Sequence, residues 1–245
     1  MAKIADAKVV TTDVFEMGGI PWKSFNLETS APSSPPTTLL IFTPTVPAAY
    51  TVIVFYHGFF IPPSYYTQLL AHIASHGFIV VAPQLFRNGL PMFGSDEIKY
   101  AGKVVDWLVT GLQPLLPENV EAKLKKVVLS GHSKGGKTAF SMALGYAKTT
   151  LKFSALIGID PVGRLSMCMA TESPPQILTG VPRSLNLKVP VAVIGTGLGP
   201  EKANIFFPPC VLLMGPTTWS FSTRANPPKQ ILLHQIMVTW TCWTM

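Results

Sequence analysis

Ser133 stands at the centre of Gly131-His132-Ser133-Lys134-Gly135, a G-x-S-x-G sequence set between two different periodicities. Before it, Val127-Val128-Leu129 is β-branched and leucine-rich, as a buried strand is; after it, Lys137-Thr138-Ala139-Phe140 opens a helical pattern. A serine on such a strand-to-helix turn is held in a tight bend, and the flanking glycines leave room for it. The hydroxyl is then expected to stand clear at the top of a sheet. That is the setting of a nucleophile, which attacks a carbonyl carbon once a neighbouring base takes its proton. A glycine-rich turn with an incidental serine is the plainer alternative, but it does not explain the strand before and the helix after.

A serine nucleophile needs an oxyanion hole, an acid and a base. Val52 to Tyr56 reads as a buried strand running into His57-Gly58-Phe59-Phe60. The loop after such a strand supplies one backbone N–H of the hole, and the residue after the nucleophile supplies the other. Those donors are assigned to Phe59 and Lys134. Gly58 lets the backbone approach a substrate closely. His57 precedes the serine in chain order, which is the wrong place for the base, and its side chain is read as a structural one that bonds the loop. Ala155 to Ile159 is a further buried strand that ends in Asp160-Pro161. Asp160 is either a turn carboxylate before proline or the acid that orients the catalytic histidine; its position after the nucleophile strand favours the second.

These residues need a sheet to hold them. Strands are expected over Leu39 to Phe42, Val52 to Tyr56, Phe78 to Ala82, Val127 to Ser130, Ala155 to Ile159 and Val189 to Gly195. Helical spacing covers Ser64 to Ser75, stopped by Gly77, and Asp96 to Leu108, where Ser95 is the expected cap. Pro83 to Gly94 reads as a long loop whose Leu85, Phe86, Leu90, Met92 and Phe93 either meet a greasy substrate or pack on their own domain. Arg164 to Ser184 is Pro-rich and loop-like. Strands alternating with helices predict an α/β-hydrolase fold, a mainly parallel sheet with helices on both faces.

The 245 residues suit one α/β domain. Apolar residues make up 48% and charged residues 13%, so the chain is greasy, yet no apolar run reaches the length of a membrane span. The formal charge of +7 is scattered, which argues against a nucleic-acid surface. Cys168, Cys210 and Cys242 have no metal-type spacing, and the chemistry assigned to Ser133 requires no cofactor. The first residues lack a secretory core, and Asp6, Asp13 and Glu16 are unlike an acid-poor transit peptide, so compartment is not readable from them.

Several blocks together resemble the plant chlorophyllase family: Glu28-Thr29-Ser30 with Ser33-Ser34-Pro35-Pro36; Ile73 through Gln84; Gly131 through Gly136; Ile157 through Val162; Val193 through Gly199; and Phe207-Pro208-Pro209-Cys210. The resemblance spans roughly residues 15–210. It implies an α/β-hydrolase that cleaves the phytyl ester of chlorophyll, giving chlorophyllide and phytol, with Ser133 as nucleophile and Asp160 as triad acid. Its substrate is chlorophyll or a related phytylated pigment. Peripheral membrane contact follows from that substrate, and a chloroplast location from the family, with a cytoplasmic one as the alternative. The family often has arginine where this chain has Lys134, a mild change if only the backbone N–H matters.

The resemblance breaks where the base should be. The family carries its triad histidine in a block close to DYGHMDMLDD, which is absent here; the only later histidine is His234, in unrelated surroundings. Residues 211–245 contain none of the chain's 12 acids but three of its five tryptophans. Reading each third codon base as the first base of a new codon changes this. Met237-Val238 then encodes Gly, Trp240-Thr241 Asp, Cys242-Trp243 Leu and Trp243-Thr244 Asp, with no freedom. Gln235-Ile236 allows only Asp or Asn, while Ile236-Met237, Val238-Thr239 and Thr239-Trp240 allow Tyr, His and Met. The family block is recovered in order. The sequence therefore divides into a hydrolase domain, 1–210, and an out-of-frame tail, 211–245, with the triad histidine lying across the codons of Val238 and Thr239. The leading function is ester hydrolysis, impaired as written. A non-catalytic chlorophyll or lipid binder and a generic lipase-like esterase are the alternatives.

Overall fold

The computed structural model describes residues 15–30, 33–162, 174–177 and 185–195, and the backbone of 231–235. Ten strands and three α-helices follow in the order β1 (Trp22–Leu27), β2 (Leu39–Pro44), β3 (Ala48–Tyr56), α1 (Thr67–Ser75), β4 (Phe78–Pro83), β5 (Phe86–Arg87), β6 (Leu90–Pro91), α2 (Gly94–Gly111), β7 (Val120–His132), α3 (Lys134–Ala143), β8 (Phe153–Ile159), β9 (Val191–Gly195) and β10 (Ile231–Gln235). Eight strands form one sheet in the order β1-β2-β4-β3-β7-β8-β9-β10. β1 and β2, and β2 and β4, pair antiparallel; every later pair is parallel. β1 is an element that the sequence reading does not anticipate.

Strand periodicity sorts the core into two layers. On β4, Ile79 and Val81 face one cluster while Val80 and Ala82 face the other. On β3, Val52, Val54 and Tyr56 join the first and Phe55 the second. Ala101, Val104, Val105 and Leu108 of α2 and Ala139, Phe140 and Met142 of α3 cover the first face; Leu70, Ala71 and Ala74 of α1 cover the second. Helices on both faces of a mainly parallel sheet are thus present. Completely buried side chains such as Phe42, Phe55 and Phe140 contribute about 1.5–3 kcal/mol each.

Two local expectations are corrected. Ser95 does not cap α2: the helix starts at Gly94, two residues before Asp96, Phe93 occupies the cap position, and no side chain bonds the helix end. Asp96 and Glu97 in the first turn complement its positive end instead. The segment Pro83 to Gly94 is not a plain loop. Asn88 and Gly89, at φ 52° and 76°, form the turn of the small β5–β6 hairpin. The apolar side chains of this segment divide: Leu85 and Met92 are buried in the domain, whereas Leu90 and Phe93 are exposed. The Ser64 to Ser75 pattern splits into a 3-10 turn at Pro63–Tyr66 followed by α1, and Gly77 at φ 88° ends it as expected.

Candidate active site

β7 ends at His132 and α3 begins at Lys134, so Ser133 is the single residue that reverses the chain. Its backbone sits at φ 53°, ψ −119°, a region avoided by side chains and costing about 1–3 kcal/mol. Three backbone bonds hold it there: Ser133 N–H donates to Ile159 O at 2.9 Å, and Ser133 O accepts from Val162 N–H at 3.2 Å and Lys137 N–H at 3.3 Å. The glycines are needed for contact as well as for the bend. A Cβ on Gly131 would lie 2.3 Å from Gly135 O, one on Gly135 2.1 Å from Tyr56 O, and one on Gly136 2.8 Å from Pro161 Cβ. The start of α3 is thereby pressed against the end of β3 and the turn after β8. One expectation changes. Ser133 is only 8% exposed, so its hydroxyl lies at the floor of the site and does not stand clear of the surface.

Asp160 follows the last residue of β8, is buried, and also has a positive φ of 40°. Its N–H donates to Ile194 O at 2.8 Å. The two bonds from Ser133 to Ile159 and Val162 bracket Asp160 on either side, so the serine and the acid sit at the carboxyl ends of adjacent parallel strands. A sequence motif cannot specify that adjacency, because it depends on strand order.

The loop after β3 lies against this turn. His57 is the structural histidine expected: its Nδ1 pairs with Gly58 O at 2.7 Å, and its Nε2 accepts from Leu85 N–H at 3.0 Å. Burial pushes its pKa from 6.5 down to about 4. Between those values the unfolded chain binds a proton that the folded chain refuses. Stability therefore rises with pH through this window and is lost as pH falls from about 6.5 to about 4, by about 3 kcal/mol. Urea midpoints of the wild type should drop across that range, and the slope should be shallower in His57→Gln. An equal slope in both would show that His57 is not the group responsible.

Phe59 and Lys134 are tied together through side chains that the sequence reading did not connect. The Phe59 ring packs on Phe60 at 4.5 Å and on Phe93 at 5.6 Å, and Lys134 Nζ stands 5.3 Å above the Phe93 ring. Lys134 Nζ also forms an ion pair with Glu97, whose other oxygen accepts from Thr138 Oγ1 at 2.6 Å. Both charged groups are buried, at 5% and 4% exposure. Burial raises the Glu97 pKa and lowers that of Lys134, and each partner's charge opposes the shift in the other. The Lys134 side chain thus fastens the turn at Ser133 to α2. Glu97→Gln leaves a buried ammonium unpaired and should cost about 3–5 kcal/mol in urea unfolding. Lys99→Ala, which breaks only the exposed 3.8 Å pair with Asp96, should change little. A small loss for Glu97→Gln would show that the pair does not hold the helices together.

The model of the chlorophyllase family matches residues 10–231, nearly the whole chain. This chain belongs to the chlorophyllase family. It is 45% identical over 219 residues to "Chlorophyllase-1" of Arabidopsis thaliana, covering 86% of this chain and 66% of that protein. It is 45% identical over 191 residues to "Chlorophyllase-1, chloroplastic" of Citrus unshiu, covering 77% and 55%. The chain thus spans less than two thirds of the length of these chlorophyllases. Among solved structures it is similar to an inhibited esterase B from Lactobacillus rhamnosis, with a TM-score of 0.56 at 15% identity over 88% of this chain and 76% of that one. A second esterase B structure gives 0.52 at 16% identity over 72% and 65%. These likenesses establish the α/β-hydrolase fold.

The chlorophyllase family match extends past Cys210, and so does the sheet. β10 pairs in parallel with β9, with His234 in register with Ile194. Residue 234 therefore lies on the outermost sheet strand among the described residues, two strands from β8. Val238 and Thr239, the three cysteines, Arg164 to Ser173, Thr196 to Gly199 and Phe207 to Cys210 lie outside the described residues.

Proposed function

We propose that this chain carries the ester-hydrolysing core of a chlorophyllase acting on chlorophyll or a related phytylated pigment. The observation that carries this is the turn at Ser133, a non-glycine residue held at φ 53° between β7 and α3, bracketed by the strand end that bears Asp160. In the proposed reaction the Ser133 hydroxyl attacks the ester carbonyl, and the N–H groups of Phe59 and Lys134 receive the oxyanion. Phytol leaves with a proton, and water then releases chlorophyllide from the acyl-enzyme. Lys134 opens the first turn of α3, where helix geometry gives an N–H no intrahelical acceptor. Asp160 orients the histidine that serves as base, and in the chain as written that histidine lies in the other reading frame.

Asp160→Asn, made in a protein with the frame restored after Cys210, should lower turnover by about 10⁴-fold, because the histidine then adopts the wrong tautomer. The assay separates chlorophyllide from chlorophyll by extraction. Near-normal turnover would assign the acid to another residue. Simple lipid esters assayed alongside distinguish a pigment hydrolase from a generic esterase. The chloroplast is the proposed compartment, supported by the naming of the Citrus relatives. Phe60 and Phe93, exposed and packed on Phe59, support peripheral contact with a lipid surface, where such a substrate resides. A pigment-binding remnant without catalysis is the second reading, favoured by the missing histidine block.

A further inference from the structure

Tyr66 lies outside the residues assigned so far, yet its hydroxyl joins both halves of the site. It is the last residue of the 3-10 turn before α1 and is 7% exposed. Its ring is fixed by an edge contact with Phe55 at 4.9 Å and a tilted contact with His132 at 5.7 Å. Gly58 N–H donates to its hydroxyl oxygen at 2.9 Å, and the hydroxyl meets His132 Nδ1 at 2.8 Å. Gly58 immediately precedes Phe59, and His132 immediately precedes Ser133. The oxygen accepts from Gly58, and the arrangement that uses its own hydrogen has the hydroxyl donate to Nδ1, with the His132 proton on Nε2. A Cβ on Gly58 would come 2.9 Å from the hydroxyl and 3.0 Å from His132 Nδ1, so only glycine leaves room for this junction.

We propose that Tyr66 is a positioning residue of the oxyanion hole, its hydroxyl locking the His57–Gly58 peptide, which leads directly into the Phe59 donor, to the nucleophile turn through Gly58 N–H and His132 Nδ1. The proposal rests on the ester-hydrolysis reading above. Tyr66 holds the His57–Gly58 peptide through Gly58 N–H, while Gly58 O, bonded by His57 Nδ1 and by Ile61 N–H at 3.4 Å, fixes the following peptide, in whose plane the Phe59 N–H lies. Burial keeps His132 neutral, against the opposing influence of the Asp160 charge, and so keeps Nδ1 able to accept. Tyr66 acts on the reaction only by aiming the donor.

The test uses the 245-residue chain and p-nitrophenyl acetate, whose residual hydrolysis comes from the oxyanion hole and binding when a triad member is missing. Tyr66→Phe keeps the ring and removes the hydroxyl. It should lower kcat by about 10-fold with KM altered less than about twofold. His132→Leu should match it, and His132→Asn, which retains an acceptor near Nδ1, should fall less. The nitrogen shifts of His132 in NMR should report the Nε2–H tautomer in the parent and move in Tyr66→Phe. Unchanged kcat in Tyr66→Phe, or a fall in kcat without movement of the His132 shifts, would overturn the positioning role alone. Hydrolysis in the parent no faster than in buffer would instead overturn the ester-hydrolysis reading, and the role of Tyr66 with it. Should Tyr66→Phe fail to fold, the ordering of His132→Asn above His132→Leu decides the same question.

Discussion

Restoring the alternative frame after Cys210 should raise chlorophyll hydrolysis by about 10⁴–10⁶-fold over the 245-residue chain. The chain as written has a serine on a strained turn, a buried carboxylate on the adjacent strand end and the proposed N–H donors of Phe59 and Lys134. A serine hydroxyl without a base remains protonated and is a poor nucleophile at neutral pH. The forced Gly, Asp, Leu and Asp codons across Met237 to Thr244 match the family block, and Val238-Thr239 permits the histidine that the restored protein is proposed to carry. Both proteins should be assayed side by side with a pigment substrate. Full activity in the 245-residue chain would sink the frame argument. His234, on β10, would then be the first base to substitute.

Ser133→Ala in the frame-restored protein should reduce kcat by about 10⁶-fold while pigment binding is retained. The alanine methyl fits where the hydroxyl was, and the backbone bonds to Ile159, Val162 and Lys137 do not involve the side chain. In the 245-residue chain the same substitution should change residual turnover little, because triad members act as a unit and the base is already absent. Kinetics in both backgrounds, with pigment binding followed by absorbance, separate these outcomes. Retained turnover in the restored Ser133→Ala protein would remove the assignment of the nucleophile.

The nucleophile turn was legible because it is local. Five consecutive residues between a strand pattern and a helix pattern define it, and the structure finds β7, Ser133 and α3 in that order. The parallel architecture was legible for a similar reason: buried strands on both faces read as continuous apolar runs, as Val52 to Tyr56 and Phe78 to Ala82 do. The hairpin at Asn88-Gly89 had a sequence signature too, since that dipeptide favours the positive φ values it adopts, but two-residue strands carry too little periodicity to be seen beside it.

Other features depended on which elements meet. Glu97 and Lys134 are 37 positions apart, and nothing in their local sequence distinguishes a buried ion pair from two surface charges. No local signal singles out Tyr66 within Ser64 to Ser75; only the crossing of the turn before α1 over the ends of β3 and β7 gives its hydroxyl Gly58 and His132 as partners. The depth of Ser133 was likewise set by what packs around the turn. The sequence by itself determined the strand-to-helix turn and the run of buried strands around it, because each is written in neighbouring residues. The tertiary structure decided which buried polar groups meet, because hydrogen bonds and ion pairs between distant positions form only after strand order and helix packing have brought those positions together.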